Sequence, residues 1–366
     1  MLRVEPRKEP SRPMLYATPF IAVGLTVLSG FILFAALGKE PVEATWLIFI
    51  SPLTSLYTLS ELMVKATPLI LIATGLAFGF RAGVWNIGAE GQFTVGALAG
   101  GATALALYQV EGLWVLPLIC AAGALGGIAW AAIPAFLRTR FNTNEILVSL
   151  MLVYVATLLL SVLVHGPLRD PDGMNFPESR LFSDSALLPN LIEGTRAHIG
   201  FLVALLVVLA AWVLLRFHMI GFQIKVVGQA PRAARFAGFS DARIVWFCFI
   251  VSGALAGLAG VFEATGPVGQ LVPALPVGYG FTGIIVAFLG RLHPLGILIG
   301  GLLLASTYIG GEAAQIAMSL PSSVTRVFQG MLLFFLLASD ILVNYRLKWI
   351  VPQRRAIPAT APQAAE

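Results

Sequence analysis

Ile146-Leu147-Val148-Ser149-Leu150-Met151-Leu152-Val153-Tyr154-Val155-Ala156-Thr157-Leu158-Leu159-Leu160-Ser161-Val162-Leu163-Val164 carries no charged side chain. A helix over this stretch is about 28 Å long, close to the roughly 30 Å of hydrocarbon in a bilayer. Working outward, comparable apolar stretches lie at 15–37, 62–80, 85–109, 113–137, 199–216, 244–265, 278–290, 294–313 and 324–345. The stretch at 278–290 is short and interrupted by glycine, so eight to ten crossings fit. The composition agrees. Of 366 residues 58% are hydrophobic and 11% charged, against about 45–50% and about 25% in soluble domains. A mean hydropathy of +0.88 excludes an ordinary soluble enzyme, and it excludes disorder, which requires low hydrophobicity. The expected fold class is an all-α polytopic membrane protein of about ten transmembrane helices.

Orientation follows from Lys and Arg, which are enriched in cytoplasmic loops. With ten spans, 17 of the 23 fall on the side of both termini, leaving Lys39, Lys65, Arg169, Arg180, Arg196 and Arg326 on or near the other. Both termini are therefore expected in the cytoplasm. The net charge of +5 marks that face, and no nucleic-acid partner is needed to explain it. The first apolar stretch exceeds a signal-peptide core of roughly 7–15 residues and reads as a retained anchor. The expected organisation is a cytoplasmic segment 1–14, a transmembrane domain 15–346 and a disordered cytoplasmic tail 347–366. Two loops are too long for simple connectors. The outer one, 165–198, is dense in Pro, Gly and Asp and reads as ordered turns. The inner one, 217–243, contains Pro231 through Gly238 with the start and stop signals of a short helix. That helix reads either as a solvated element on anionic lipid or as a docking element for a cytoplasmic partner.

Catalytic constellations are missing. The chain has no G-x-x-x-x-G-K-[ST], H-E-x-x-H or G-x-S-x-G pattern, and its four histidines are scattered. Neither ATP hydrolysis in this chain nor an intramembrane protease is expected. The two cysteines, Cys120 and Cys248, sit in apolar runs, and no cofactor or metal is expected. Polar residues at membrane depth carry the functional signal, because they are costly there. Asn86, Glu90 and Gln92 lie among glycines at the start of the third span, and Asn86 and Glu90, four apart, would share one helix face. They read either as a clamp between helices, with glycine for close approach, or as the lining or gate of a pathway. Asn144 and Glu145 open the fifth span, as pathway residues or as its cap. Glycine-rich interruptions near 75–101 and 266–301 point to paired broken segments around a central route.

The run Phe80-Arg81-Ala82-Gly83-Val84-Trp85-Asn86-Ile87-Gly88-Ala89-Glu90-Gly91-Gln92 strongly resembles the permease subunits of bacterial ABC importers. The branch is the one for nucleosides and simple sugars, related to the ribose and branched-chain amino acid permeases. Ala66 through Leu71 and Asn144 through Leu152 resemble further blocks of the family, although Val153 stands where the family often has Asn. The outer loop from Gly166 to Ser179 is similar to nucleoside-type members. Gln229, Arg232, Ala233, Ala234, Arg235, Phe236 and Gly238 look like the family's coupling segment, with Gln229 where Asn is common.

This resemblance implies a permease in the bacterial inner membrane that docks a separate cytoplasmic ATPase through 217–243. It also implies pairing with a second permease chain, as homodimer or heterodimer, and substrate delivery by an outer binding protein. The small-molecule substrate is expected to be a nucleoside or similar polar solute, with a simple sugar or branched-chain amino acid as the alternative. The pathway would be lined partly by spans two, three, five and eight. From another class, an ion-coupled carrier would use Glu90 as its coupling site.

Overall fold

The computed structural model describes residues 2–7, 11–321 and 323–349. The chain begins with β1 (Leu2–Pro6), α1 (Arg12–Ala36), α2 (Pro41–Phe49), α3 (Leu56–Arg81), α4 (Ala89–Ala106), α5 (Val115–Phe141) and α6 (Glu145–His165). It continues through α7 (Gly200–Phe217), α8 (Met219–Gln229), α9 (Pro231–Phe236), α10 (Asp241–Glu263), α11 (Tyr279–Leu289), α12 (Pro294–Met318), α13 (Ser323–Asn344) and β2 (Tyr345–Trp349). Ten of these helices fall on the ten apolar stretches of the sequence, and the fold is all-α and polytopic. Among the described residues eight helices are long and apolar enough to cross a membrane. The other two, α4 and α11, are weak for different reasons. Glycine, alanine and polar residues dilute α4. The 11 residues of α11 make a rod of about 16 Å, half a bilayer. Neither α2 nor the helices of the inner loop reach spanning length.

The chain divides into two units, 1–28 with 331–366, and 29–330. In the first, β1 and β2 pair antiparallel from Leu2 opposite Trp349 to Pro6 opposite Tyr345. Of the tail expected to be disordered, residues 347–349 belong to β2, and 350–366 lie outside the described residues.

The second unit is built around α3, whose most apolar window is 89% buried, against 22% for α5, α6 and α7. Against α3 pack α10, α11 and α12, and α10 in turn packs on α4 and α5. The contact among α4, α5 and α10 is made backbone to backbone. A Cβ on Gly257 of α10 would lie 2.3 Å from the Gly123 carbonyl oxygen and 3.0 Å from Gly127 Cα. Lipid supplies no hydrophobic drive between helices, so such small-residue seams, where dispersion contacts are densest, hold membrane bundles together.

Gly257→Val is expected to drive α10 away from α5, at a cost of about 3 kcal/mol or more. Gly330→Ala, where an added Cβ meets nothing within 4 Å, is expected to be neutral. Thermal unfolding of the detergent-solubilised variants followed by size exclusion measures this; a wild-type profile for Gly257→Val would dismiss the seam.

Candidate functional site

Between α3 and α4 the backbone is not helical. After Arg81 it turns through Gly83, at φ +72°, and runs irregularly to Gly88 before α4 begins. Such a stretch between membrane helices persists only if protein groups take up its amides, and they do. Val84 N–H donates to the Gly79 carbonyl at 2.8 Å. Trp85 N–H donates to Glu145 Oε1 at 3.4 Å, Ile87 N–H to Ser149 Oγ at 3.2 Å and Gly88 N–H to Asn86 Oδ1 at 3.1 Å. The Asn86 amide also exchanges two hydrogen bonds with Gln92, at 2.9 and 3.1 Å, and donates to Ser252 Oγ of α10 at 2.9 Å. The expectation that Asn86 and Glu90 share a helix face is corrected: α4 starts at Ala89, and Asn86 lies in the loop that precedes it. Asn86 pairs with Gln92, and Glu90 goes elsewhere.

Glu90 reaches the second break in the bundle. Following Glu263, the last residue of α10, comes a π-helical turn, Ala264–Val268, and an irregular stretch to Gly278. Gly278, at φ +95°, opens α11 without a side-chain cap. Glu90 supplies one from 188 residues away. Gly278 N–H donates to its Oε1 at 2.7 Å, and Gly280 N–H to its Oε2 at 2.5 Å. A carboxylate at a helix N-terminus takes up orphan amides and meets the positive end of the dipole. The approach is so close that a Cβ on Gly280 would stand 2.2 Å from the Glu90 nitrogen. The two glycine-rich interruptions are thus joined through one side chain.

A second polar group surrounds the start of α11. Lys65 Nζ donates to the Tyr279 hydroxyl at 3.0 Å and lies 4.0 Å from Glu263 Oε1. The Tyr279 hydroxyl donates to Glu263 Oε1 at 3.3 Å. Glu263 is 5% exposed, and its Oε2 has no hydrogen-bond partner among the described residues. Toward the same end of α3, Glu61 receives two hydrogen bonds from Arg196, at 2.9 and 2.5 Å. The loop 165–198 lies against the break after α10: Ser179 N–H donates to the Leu271 carbonyl at 3.0 Å, Phe182 N–H to Gly269 at 2.8 Å and Leu188 N–H to Thr265 at 3.0 Å. His198 closes this region. Burial brings its imidazole down to about 4, so it is neutral, and Nδ1 accepts the Gly200 N–H that opens α7.

At the opposite end of α3, Asn144 caps α6 through the amides of Ile146 and Leu147, and Glu145 pairs with Arg138. The helix expected in the inner loop is α9. Ala234 is fully buried in an apolar cluster with Phe249 and Ile244, while Arg232 and Ala233 are exposed and Phe236 is 95% exposed. Arg235 Nε donates to Asp241 Oδ2 at 2.6 Å, and Gly238, at φ +79°, follows the helix end. Gln229 is the last residue of α8. Ala234 thus anchors α9 to the bundle and leaves the Phe236 side chain uncovered. Sequence reasoning missed Ser252, Gly278, Gly280 and Lys65 as members of the site. The glycine-rich run after 266 pointed to Gly278 and Gly280; nothing in the sequence pointed to Ser252 or Lys65.

The family model described as the branched-chain amino acid transport system / permease component matches residues 58–337. A glucose ABC transporter permease of Haloferax volcanii is 36% identical over 94% of this chain and 93% of its own length. A nucleoside ABC transporter permease of Lactococcus lactis subsp. cremoris is 29% identical over 93% of this chain and 94% of its own. A guanosine ABC transporter permease of Bacillus subtilis is 29% identical over 88% and 92%.

Glu90→Gln keeps the size but leaves only one oxygen to accept, so one of the two bonds to α11 is lost and the other loses its charge, at about 1.5–3 kcal/mol for a hydrogen bond to an ionised group. Amides 278–282 are expected to exchange with deuterium at least tenfold faster, with exchange in α6 unchanged. Wild-type protection at 278–282 would show that Glu90 does not hold α11.

Proposed function

The chain belongs to the branched-chain amino acid transport system permease family, and from that premise we propose that it carries a small polyhydroxylated solute inward across the bacterial inner membrane, at the expense of ATP hydrolysed by a separate subunit. A nucleoside is the first choice of substrate and a simple sugar the second. Relatives alike over nearly their whole length handle nucleosides, guanosine or glucose, and a sugar ring is common to all three. Both termini are placed in the cytoplasm, on the side of the arginine-rich loops. The functional unit pairs two permease chains, alike or different, and takes substrate from a binding protein at the 165–198 side.

The observation that carries the mechanism is the Glu90 joint. ATP-driven alternating access needs a bundle with two packings that both partners bias, and a spanning region made of continuous helices has few places to bend. Here α4 and α11 both begin inside the bundle, and their starts are tied together by Glu90. Movement delivered through α8 and α9 reaches this joint through the end of α3, against which Gly228 packs, and through α10. Asn86 and Gln92 hold the loop before α4 to α10, as the fixed side of the gate. Asn144 and Glu145 secure the α6 end of the same loop. The Lys65, Tyr279 and Glu263 group beside the joint offers ammonium, hydroxyl and carboxylate oxygen to substrate hydroxyls.

Reconstitution with the ATPase, the second permease and the binding protein tests the reading. ATP-dependent accumulation of guanosine or another nucleoside is expected, with glucose weaker. Uptake driven by an ion gradient with the ATPase absent would overturn it. Lys65→Met and Glu263→Gln are each expected to lower uptake at least tenfold at unchanged amounts of assembled complex; unaltered uptake in both would remove this group from the pathway. Phe236→Ala combined with Arg232→Glu is expected to reduce ATPase capture about tenfold without loss of folded permease. Undiminished capture would place docking elsewhere.

A further inference from the structure

At the arginine-rich end of the second unit lies a cavity of about 540 Å³ between the end of α3, the end of α7, α8 and the turn before α12. That volume is within the roughly 300–1,000 Å³ of small-molecule sites. Arg81, Arg216, Lys225, Arg291 and His293 all line it, and no described acidic side chain does. Several like charges around one cavity with no carboxylate among its lining make it attractive to an anion.

The local backbone is arranged around two of these residues, Arg81 and Arg291. Arg291 and Leu292 are consecutive non-glycine residues in the left-handed region, at φ +56° and +55°, a conformation that costs of order 1–3 kcal/mol each. The turn they make carries Arg291 and places the Leu292 carbonyl where Arg81 Nε donates to it at 2.9 Å. It also starts α12, whose 25 residues bring the positive end of a helix dipole to the cavity. Burial, followed by the nearby charges of Arg81 and Arg216, lowers the affinity of the His293 imidazole for a proton.

We propose that this cavity binds the phosphate headgroup of an anionic phospholipid. The surroundings favour a lipid over a soluble anion. Trp212 and Leu215 line the cavity beside the cations. Phe217, Met219, Phe222 and Leu295, on α7, α8 and α12, are each more than half exposed, which provides apolar surface for acyl chains. With Lys225 on its length, α8 has the make-up of a helix lying in the membrane interface, and basic pockets at the ends of membrane helices suit anionic headgroups. Topology alone asks only that these charges be on one side; it does not ask that they converge on one cavity. Arg232 and Phe236, assigned above to the ATPase, are not part of the lining, and the proposal does not rest on the identity of the transported solute.

The test is native mass spectrometry of the full chain, delipidated in detergent and supplied with dioleoylphosphatidylglycerol or dioleoylphosphatidylcholine. Wild type is expected to retain phosphatidylglycerol at least tenfold better. Arg216→Gln with Lys225→Gln is expected to abolish that preference, while Arg216→Lys with Lys225→Arg preserves it, which separates lost charge from lost fold. Equal retention of the two lipids, or an undiminished preference in the glutamine variant, would overturn the proposal. Displacement of phosphatidylglycerol by inorganic phosphate at equal concentration would assign the cavity to a soluble anion and overturn the lipid. Loss of ATPase capture in the glutamine variant with lipid preference intact would assign it to an acidic protein surface, and overturn it likewise.

Discussion

A peptide group that leaves a helix within hydrocarbon has no water to bond, and each unmet amide costs several kcal/mol. Among the described residues the chain leaves the helix inside its bundle before α4 and before α11, and the buried side chains of Asn86, Gln92, Ser149, Ser252 and Glu90 gather at those two departures. Asn86, Ser149 and Glu145 take the amides of the first break. Glu90 takes two amides of the second. Glu90 is the member that joins the two breaks, since its own position is at the start of α4 and its bonds are at the start of α11.

The glycine seam makes that joint possible. A buried carboxylate must have its partners within a narrow range of distance and angle, and the partners here are backbone amides of a helix that cannot extend a side chain. The helices must therefore come within backbone contact, which Gly257 against α5 and Gly280 against Glu90 permit. Packing and polar pairing are one constraint: widening the seam by one methyl group would move donors away from acceptors.

Much of this was legible in the residues. Helices such as α6 and α7 declare themselves by length and hydropathy alone, because most of their surface is apolar and left uncovered by the rest of the chain. The arginine-rich inner loop shows its short helix through Pro231 and Gly238. The breaks were legible as composition, in glycine clusters, but not as geometry. Asn86 looks like a helical residue because a four-residue spacing is meaningful only once the helix start is known, and that start is set by contacts with α6 and α10. The partners of Glu90 are glycine amides, which have no side chain to mark them in a sequence. Hydropathy passed over α2, whose nine residues are too few for a span. The exposure of Phe236 follows from which face of α9 Ala234 buries.

The reach of Glu90 across 188 residues has a meaning in time. A ribosome adding about 5–20 residues per second takes on the order of 10–40 s to deliver Gly278 after Glu90 has been made. Throughout that interval α4, the least apolar of the long helices, carries a carboxylate with neither of its amide partners yet in existence. The joint between the two breaks therefore cannot close before α11 has been made.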